Sequence, residues 1–184
     1  MSHAAEAPLT EDAYVARVRA LVAERWPADV PREPHYPFGE IALTDYLRRW
    51  AEAAPDHVVF DYYGREITFT ELDRQSDRFA ALLQSEGVGA GDRVGVFLGN
   101  CPQFAYAFFG ILKAGAIHVP VNPMFKEHEL IYELEDSGAE WLLAQDALVP
   151  LVEKVRAQAP LKKVWSTGLA DLVPEAPAFH VPGS

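Results

Sequence analysis

The sequence predicts an α/β protein, built as a layered, mostly parallel sheet with helices on both faces. From Arg93 onward, short apolar segments alternate with longer segments of helical periodicity, and this alternation is typical of strand–helix–strand units. The apolar segments contain few polar positions, as expected for parallel strands that are covered on both faces. The predicted strands are 93–98, 116–121, 140–144 and 162–166, and the predicted helices between them are 101–115, 126–138 and 147–158.

Residues 1–38 are predicted to form an N-terminal helix and a Pro-rich linker. Apolar side chains recur at helical spacing over residues 10–26, namely Tyr14, Val18, Leu21, Val22 and Trp26. The four prolines of residues 27–39 exclude a helix or a central strand, so this segment is interpreted as an extended linker. We expect the helix to pack on its own domain. The alternative is that it forms a contact between copies of the chain.

A second helix and a hairpin are predicted next. Residues 44–54 have helical spacing, with Thr44 as the N-cap and Pro55 just past the end. Two β-rich segments then flank Tyr63, Gly64 and Arg65, which is a hairpin signal.

The third predicted helix begins at Thr70, with Asp73 in the capping-box position, and ends at Gly87. Its expected buried stripe is Leu72, Phe79, Leu82 and Leu83. Farther along the chain, Gly115 and Gly138 are placed to end two later helices.

Residues 39–166 are expected to form the α/β subdomain. Residues 167–184 are rich in proline and lack periodicity, so we expect a loose C-terminal tail at the edge of a truncation.

The charge balance disfavours nucleic acids as partners. The 184 residues include 16 Lys and Arg against 27 Asp and Glu, a formal net charge of −11, whereas nucleic-acid binding usually needs a basic face. Cys101 is the single cysteine and cannot form an internal disulfide, which favours a cytoplasmic location. No secretory signal and no membrane span are predicted, because the most apolar run covers only residues 104–112.

Three glycines and the single cysteine are candidate site residues. Gly87, Gly89 and Gly91 follow a helix and precede a strand, the reverse of a dinucleotide-binding loop, so they are interpreted as a helix end and a tight turn. Cys101 precedes Pro102 at the start of a helix, where a thiol can have a lowered pKa. Because no histidine partner is placed beside it, a structural role is favoured.

Two histidines and an acidic cluster are also interpreted as structural. His118 lies in a predicted strand and is more plausible as a core or edge residue than as a proton carrier or ligand. His128 lacks a second histidine at metal-binding spacing. The nearby acids are interpreted as a solvated helix face, so no metal site is expected; they are Glu127, Glu129, Glu133, Glu135 and Asp136.

The sequence offers one position of local interest and one aromatic cluster. Asn122 and Pro123 follow a predicted strand at the edge where α/β proteins bind ligands, although a turn in which Asn122 bonds its own backbone is favoured. Core packing explains the aromatic cluster, and some members are candidates to face a ligand cleft together with Leu112. The cluster comprises Phe104, Tyr106, Phe108 and Phe109.

Two segments resemble the adenylate-forming superfamily of acyl-CoA synthetases, aryl-CoA ligases and luciferases. They are ITFTELDRQSDRFAALLQSEGVGAGDRVGVFLGN at residues 67–100 and FGILKAGAIHVPVNPMFKEHELIYELEDSGAEWLLA at residues 109–144, and their order and spacing match over residues 67–144. The second resembles fatty-acyl and aryl-acyl CoA ligases, because the Pro-x-x-Arg pattern usual in amino-acid-activating domains is absent.

The resemblance implies part of the large N-terminal domain of an AMP-forming acid–CoA ligase. Such enzymes convert a carboxylic acid and ATP to an acyl-adenylate, and then form a thioester with coenzyme A, with Mg²⁺ required. A fatty acid is the expected substrate, and a homodimer is possible because a fragment exposes apolar surface.

The motifs that bind the nucleotide in this superfamily do not occur in the 184 residues. The sequence therefore assigns no catalytic residue, leaves the cofactor-binding residues unknown, and predicts that this chain alone is inactive. The alternative is a stand-alone α/β binding or interaction module without catalysis.

Overall fold

The computed structural model describes residues 10–180. It has two compact units, one ending at Glu40 and the other beginning at Ile41. The elements in chain order are α1 (Glu11–Arg25), α2 (Leu43–Ala53), β1 (Val58–Tyr62), β2 (Arg65–Thr68), α3 (Phe69–Ser85), β3 (Arg93–Phe97), α4 (Pro102–Lys113), β4 (Ile117–Pro120), α5 (Glu127–Ser137), β5 (Trp141–Gln145), α6 (Val149–Val155) and β6 (Lys163–Thr167).

The first unit contains α1 and the Pro-rich segment. Thr10 caps the helix, because its hydroxyl oxygen accepts a hydrogen bond from the backbone N–H of Ala13 at 3.3 Å. The predicted helix is confirmed, but no residue of α1 is buried, so it lacks the buried stripe that the sequence predicts. The Pro-rich segment turns rather than extends, since the Trp26 indole donates to the Val30 carbonyl at 2.7 Å.

The second helix begins one residue earlier than predicted and has no side-chain cap. Ala42 is the N-cap of α2, so the assignment of Thr44 to that position is wrong. The hairpin prediction is confirmed, because β1 and β2 pair antiparallel. Tyr63 and Gly64 connect them with φ values of 55° and 92°, as a two-residue turn matched to strand twist requires.

The cap of α3 is Thr68 rather than Thr70. The Thr68 hydroxyl accepts from the Glu71 N–H at 3.2 Å, while Thr70 donates its hydroxyl to the Pro55 carbonyl at 3.0 Å. Both threonines precede an acid by three residues, and β2 runs directly into the helix, so the earlier one takes the cap. Leu82 is 39% exposed and does not belong to the buried stripe, whereas the helix end before Gly87 is confirmed.

The four-stranded sheet is parallel throughout, with the order β4-β3-β5-β6. Alternate side chains of β3 enter two different cores. Val94 and Val96 pack with residues of α3 and α4 such as Leu83. Phe97 packs on the opposite face with residues of α5 and α6 such as Leu130. The predicted layered α/β fold is therefore confirmed.

The segment after β6 is attached to the α/β unit. The Gln103 amide donates to the Gly168 carbonyl at 2.8 Å, and the Tyr62 hydroxyl donates to the Leu169 carbonyl at 2.9 Å. Farther on, the Ala178 N–H donates to a hairpin carbonyl at 2.8 Å. The expectation of a loose tail from residue 167 does not anticipate these contacts, and residues 181–184 lie outside the described part.

Among the helices that the structure describes, none is long and apolar enough to cross a bilayer.

Candidate functional site

An apolar cavity of about 520 Å³ lies between β1 and the first half of α4. It opens just beyond the C-terminal end of β3, where the loop through Asn100 leads into the helix. In open parallel sheets, ligands bind outside this end of the strands. The lining residues are Phe60, Asp61, Tyr62, Asn100, Cys101, Pro102, Phe104, Ala105, Phe108 and Phe109.

Helical spacing on α4 divides its aromatic residues between the core and the cavity. Tyr106 is buried and belongs to a core cluster with Leu47, Ile67 and Leu72. The three phenylalanines are half-buried and line the cavity. Core packing therefore accounts for the position of Tyr106, whereas the three phenylalanines pack partly against the core and partly face the cavity. Leu112 is not among the cavity-lining residues.

Cys101 lies at the cavity wall as the N-cap of α4, and Pro102 is the first helical residue, as predicted. Burial raises the pKa of the Cys101 thiol, which opposes the lowering that a helix N-terminus can produce. Burial likewise raises the pKa of Tyr62 in the same wall. Both groups are therefore protonated near neutral pH, and the structural interpretation of Cys101 is favoured over a nucleophilic one.

His118 contacts two of the cavity-lining phenylalanines but does not itself line the cavity. Its ring meets those of Phe104 and Phe108 edge to face, with centroid distances of 5.6 and 5.1 Å. Its Nε2 atom is buried without a hydrogen-bond partner, and burial lowers the pKa of His118. Because β4 is an edge strand of the sheet, His118 is the edge histidine that the sequence favours, in its neutral form.

The acidic face of α5 makes ordinary surface contacts. Glu127 pairs with Lys154 at 3.3 Å, and Glu129 accepts the Lys126 N–H at 3.0 Å, which caps the helix. His128 is exposed on the same helix. Within residues 10–180, no group of three or more His, Cys, Asp or Glu side chains is placed to hold a metal ion.

The glycine-rich segment forms a tight turn between α3 and β3. Gly87 and Gly91 have φ values of 88° and 87°, and the Asp92 carboxylate accepts the Gly89 N–H at 2.8 Å. Asn122 also forms a turn, because its side-chain oxygen accepts the Met124 N–H at 3.0 Å. The turn interpretations of both segments are confirmed.

Sequence reasoning missed the contribution of the hairpin to the cavity. Phe60 and Tyr62 lie on a short strand whose periodicity gives no indication that it faces α4, about 40 residues away in sequence.

A polar network also joins the hairpin to α4 through Glu71 of α3. The Tyr106 hydroxyl donates to Glu71 Oε1 at 3.0 Å, and Arg65 lies 2.8 Å from the same oxygen. Burial, followed by the Glu71 carboxylate, raises the pKa of Tyr106.

Residues 47–179 match the family model described as AMP-binding enzyme. This match covers most of the α/β unit, including the cavity and the segment after β6. The chain belongs to the AMP-binding enzyme family.

Relatives of the chain include acid–CoA ligases. It is 34% identical over 149 residues to a long-chain-fatty-acid–CoA ligase of Bacillus subtilis, an alignment that covers 81% of this chain and 26% of the relative. An anthranilate CoA ligase in complex with anthranoyl-AMP superposes with a TM-score of 0.65 and 28% identity, over 68% of this chain and 24% of that chain. A Mycobacterium tuberculosis fatty acyl CoA synthetase superposes with a TM-score of 0.64 and 25% identity, over 77% of this chain and 30% of that chain.

The chain spans about a quarter of the length of the curated relatives that it matches. Among its described residues, no group of three or more His, Cys, Asp or Glu side chains is placed to hold a metal ion, and residues 87–91 form a turn between a helix and a strand. What the described residues do form is an apolar cavity, which suits the hydrocarbon part of a ligand.

Proposed function

We propose that this chain is the N-terminal part of an AMP-forming acid–CoA ligase that acts on fatty acids in the cytoplasm. In the first step the carboxylate attacks the α-phosphate of ATP, giving an acyl-adenylate and pyrophosphate. In the second step the thiol of coenzyme A attacks the acyl carbon and displaces AMP, giving the thioester. The observation that carries the proposal is the family match over residues 47–179, together with relatives that are named long-chain-fatty-acid–CoA ligases.

The cavity beside α4 supports an apolar acid as the substrate. Its wall combines aromatic side chains with the small residue Ala105, and its volume of about 520 Å³ falls in the range of small-molecule sites. Cys101 and Tyr62 are protonated there, and the Asp61 carboxylate accepts the Gly64 N–H at 2.9 Å. We assign this cavity to binding of the acyl chain rather than to the reaction at its carboxylate.

The chemistry itself requires residues that this chain does not contain. Phosphoryl chemistry needs donors and a metal that neutralise the developing charge, and the 184 residues lack the nucleotide-binding motifs of the family. Mg²⁺, ATP and coenzyme A therefore belong to a longer polypeptide, and we expect the 184-residue chain alone to be inactive.

Acid-dependent exchange of pyrophosphate into ATP tests both parts of the proposal. We expect no exchange by the purified 184-residue chain with decanoate, palmitate, benzoate or an amino acid. The polypeptide encoded by the complete reading frame is expected to exchange with the fatty acids and to form their CoA thioesters. A frame that stops after Ser184 would contradict the ligase proposal and favour a binding or interaction module. Exchange by the short chain would contradict the predicted inactivity.

A further inference from the structure

Helix α1 carries a continuous apolar stripe that is exposed in the described structure. At about 100° per residue, its side chains fall within roughly 120° of arc centred on Val18. Tyr14 and Val22 are 60% and 50% exposed. An exposed apolar stripe on a helix marks a surface that binds a partner. The stripe consists of Tyr14, Val15, Val18, Leu21 and Val22.

The two ends of this stripe differ in shape. The N-terminal end presents the protruding ring of Tyr14, and the C-terminal end has a hollow of about 320 Å³. One wall of the hollow is Trp26, which is held in place by its hydrogen bond to the Val30 carbonyl. The hollow is lined by Val18, Leu21, Val22, Arg25, Trp26 and Pro27.

A two-fold axis through Val18 brings these two ends together. Val18 is the central residue of α1 (Glu11–Arg25). Tyr14 and Val22 each lie four residues from it, or about 6 Å along the helix axis. A second copy that runs antiparallel about this axis therefore places its tyrosine in the hollow beside Val22, and the same contact occurs twice, as in an isologous dimer.

The charges on α1 select the antiparallel arrangement. Glu11 lies in the first turn and Arg25 in the last turn, and both fall within about 20° of the line through Val18. Neither residue has an ion-pair partner among those that the structure describes. The two-fold pairing sets each Glu11 opposite an Arg25, whereas a parallel pairing sets like charges together. Arg17 and Arg19 point about 100° away from Val18, to either side of the contact.

We propose that α1 is a self-association surface through which two copies of this chain pair as antiparallel helices. The contact uses two helices of about four turns each, which is smaller than a standard stable interface. An interface of this size is typical of weak, transient association. This pairing does not depend on the proposed ligase activity.

Sedimentation equilibrium of the 184-residue chain across the micromolar range tests the pairing. The wild type is expected to fit a monomer–dimer equilibrium. Val18→Glu brings two carboxylates together on the axis and is expected to raise the dissociation constant at least about thirtyfold. The matched control is Ala20→Glu, which lies about 160° around the helix and should leave the constant unchanged. A monomeric wild type, or a dimer that Val18→Glu leaves intact, overturns the proposal.

Charge reversal and cross-linking test the orientation. Glu11→Arg and Arg25→Glu should each weaken the dimer, and the double variant should restore it, because every opposed pair regains opposite charges. In a Cys101→Ser background, a mixture of Tyr14→Cys and Val22→Cys chains should form mixed disulfide dimers on mild oxidation. Tyr14→Cys chains alone should not, because the two sites lie about 12 Å apart along the axis. Efficient cross-linking of Tyr14→Cys alone overturns the antiparallel pairing.

Discussion

The ammonium group of Lys113 lies 2.6 Å from Oδ1 of Asp73, and this ion pair joins the end of α4 to α3. Lys113 also donates to the Asp73 carbonyl at 2.9 Å and to Oδ1 of Asp77 at 2.7 Å. The lysine side chain is 2% exposed, whereas those of Asp73 and Asp77 are 22% and 55% exposed. All three donors of the buried ammonium have partners, as burial of a charge requires. Lys113 therefore links two helices of the α/β unit.

Removing the two carboxylates should destabilise the fold more than removing the lysine. Asp73→Asn with Asp77→Asn leaves a buried ammonium without counter-charge, which we expect to lower the free energy of unfolding by about 3–5 kcal/mol. Lys113→Met leaves carboxylates that water can reach and fills the space with an apolar chain. We expect it to lower the free energy of unfolding by only about 1–2 kcal/mol. Urea denaturation measures both values, and the reverse order would contradict the assignment.

Lys154→Met provides the matched control for this comparison. Lys154 and its partner Glu127 are 66% and 57% exposed, and exposed pairs contribute little because water and salt screen them. The free energy of unfolding of the Lys154→Met variant should stay within about 0.5 kcal/mol of the wild-type value.

Gly110→Ala should destabilise the contact between α3 and α4. An added Cβ would lie 2.9 Å from the Phe79 side chain and 2.9 Å from the Ser76 carbonyl oxygen. Alanine favours a helix over glycine by about 1 kcal/mol, but separating two packed helices costs about 1–3 kcal/mol. Since the carbonyl belongs to the backbone of α3 and cannot rotate away, we expect a net loss of stability in urea denaturation.

Gly89→Ala tests whether this loss is specific to close packing. A Cβ at Gly89 would meet no atom within 4 Å, so we expect stability equal to or slightly above that of the wild type. Equal losses for the two variants would count against a close approach at Gly110.

The layered fold could be predicted because short apolar strands, and helices that end at glycine, each have a local sequence pattern. Which of Thr68 and Thr70 caps α3 could not be predicted, because both satisfy the same capping pattern and the path of β2 decides between them. The candidate cavity depends on contacts between distant segments, such as that of Phe60 with the α4 region. A single sequence contains no periodic signal for such a contact.

His118 should make the chain less stable as the pH falls. Burial lowers the pKa of the folded-state imidazole below its ordinary value of 6.5, so the unfolded chain takes up the proton first. The free energy contributed by the neutral ring is therefore fully present above about pH 6.5. It is lost progressively as the pH falls through that value towards the lower folded-state pKa.

His118→Leu should reduce this loss, because leucine packs against Phe104 and Phe108 without taking up a proton. Urea denaturation at about pH 8 and about pH 5.5 compares the two proteins on either side of the titration. The difference in stability between the two pH values should be smaller for the variant. An equal or larger difference would contradict a buried, neutral His118.

Ala105→Trp should shorten the range of acids that the proposed ligase accepts. Ala105 lines the cavity beside α4, and an indole there would occupy space that we assign to the acyl chain. In the longer polypeptide, kcat/KM for palmitate should fall on the order of tenfold or more, while that for a short acid such as butyrate changes much less. Ala81→Trp, at an exposed position of α3, makes the same chemical change away from the cavity and should spare both substrates. An equal fall for palmitate and butyrate would mean that the cavity does not bind the acyl chain.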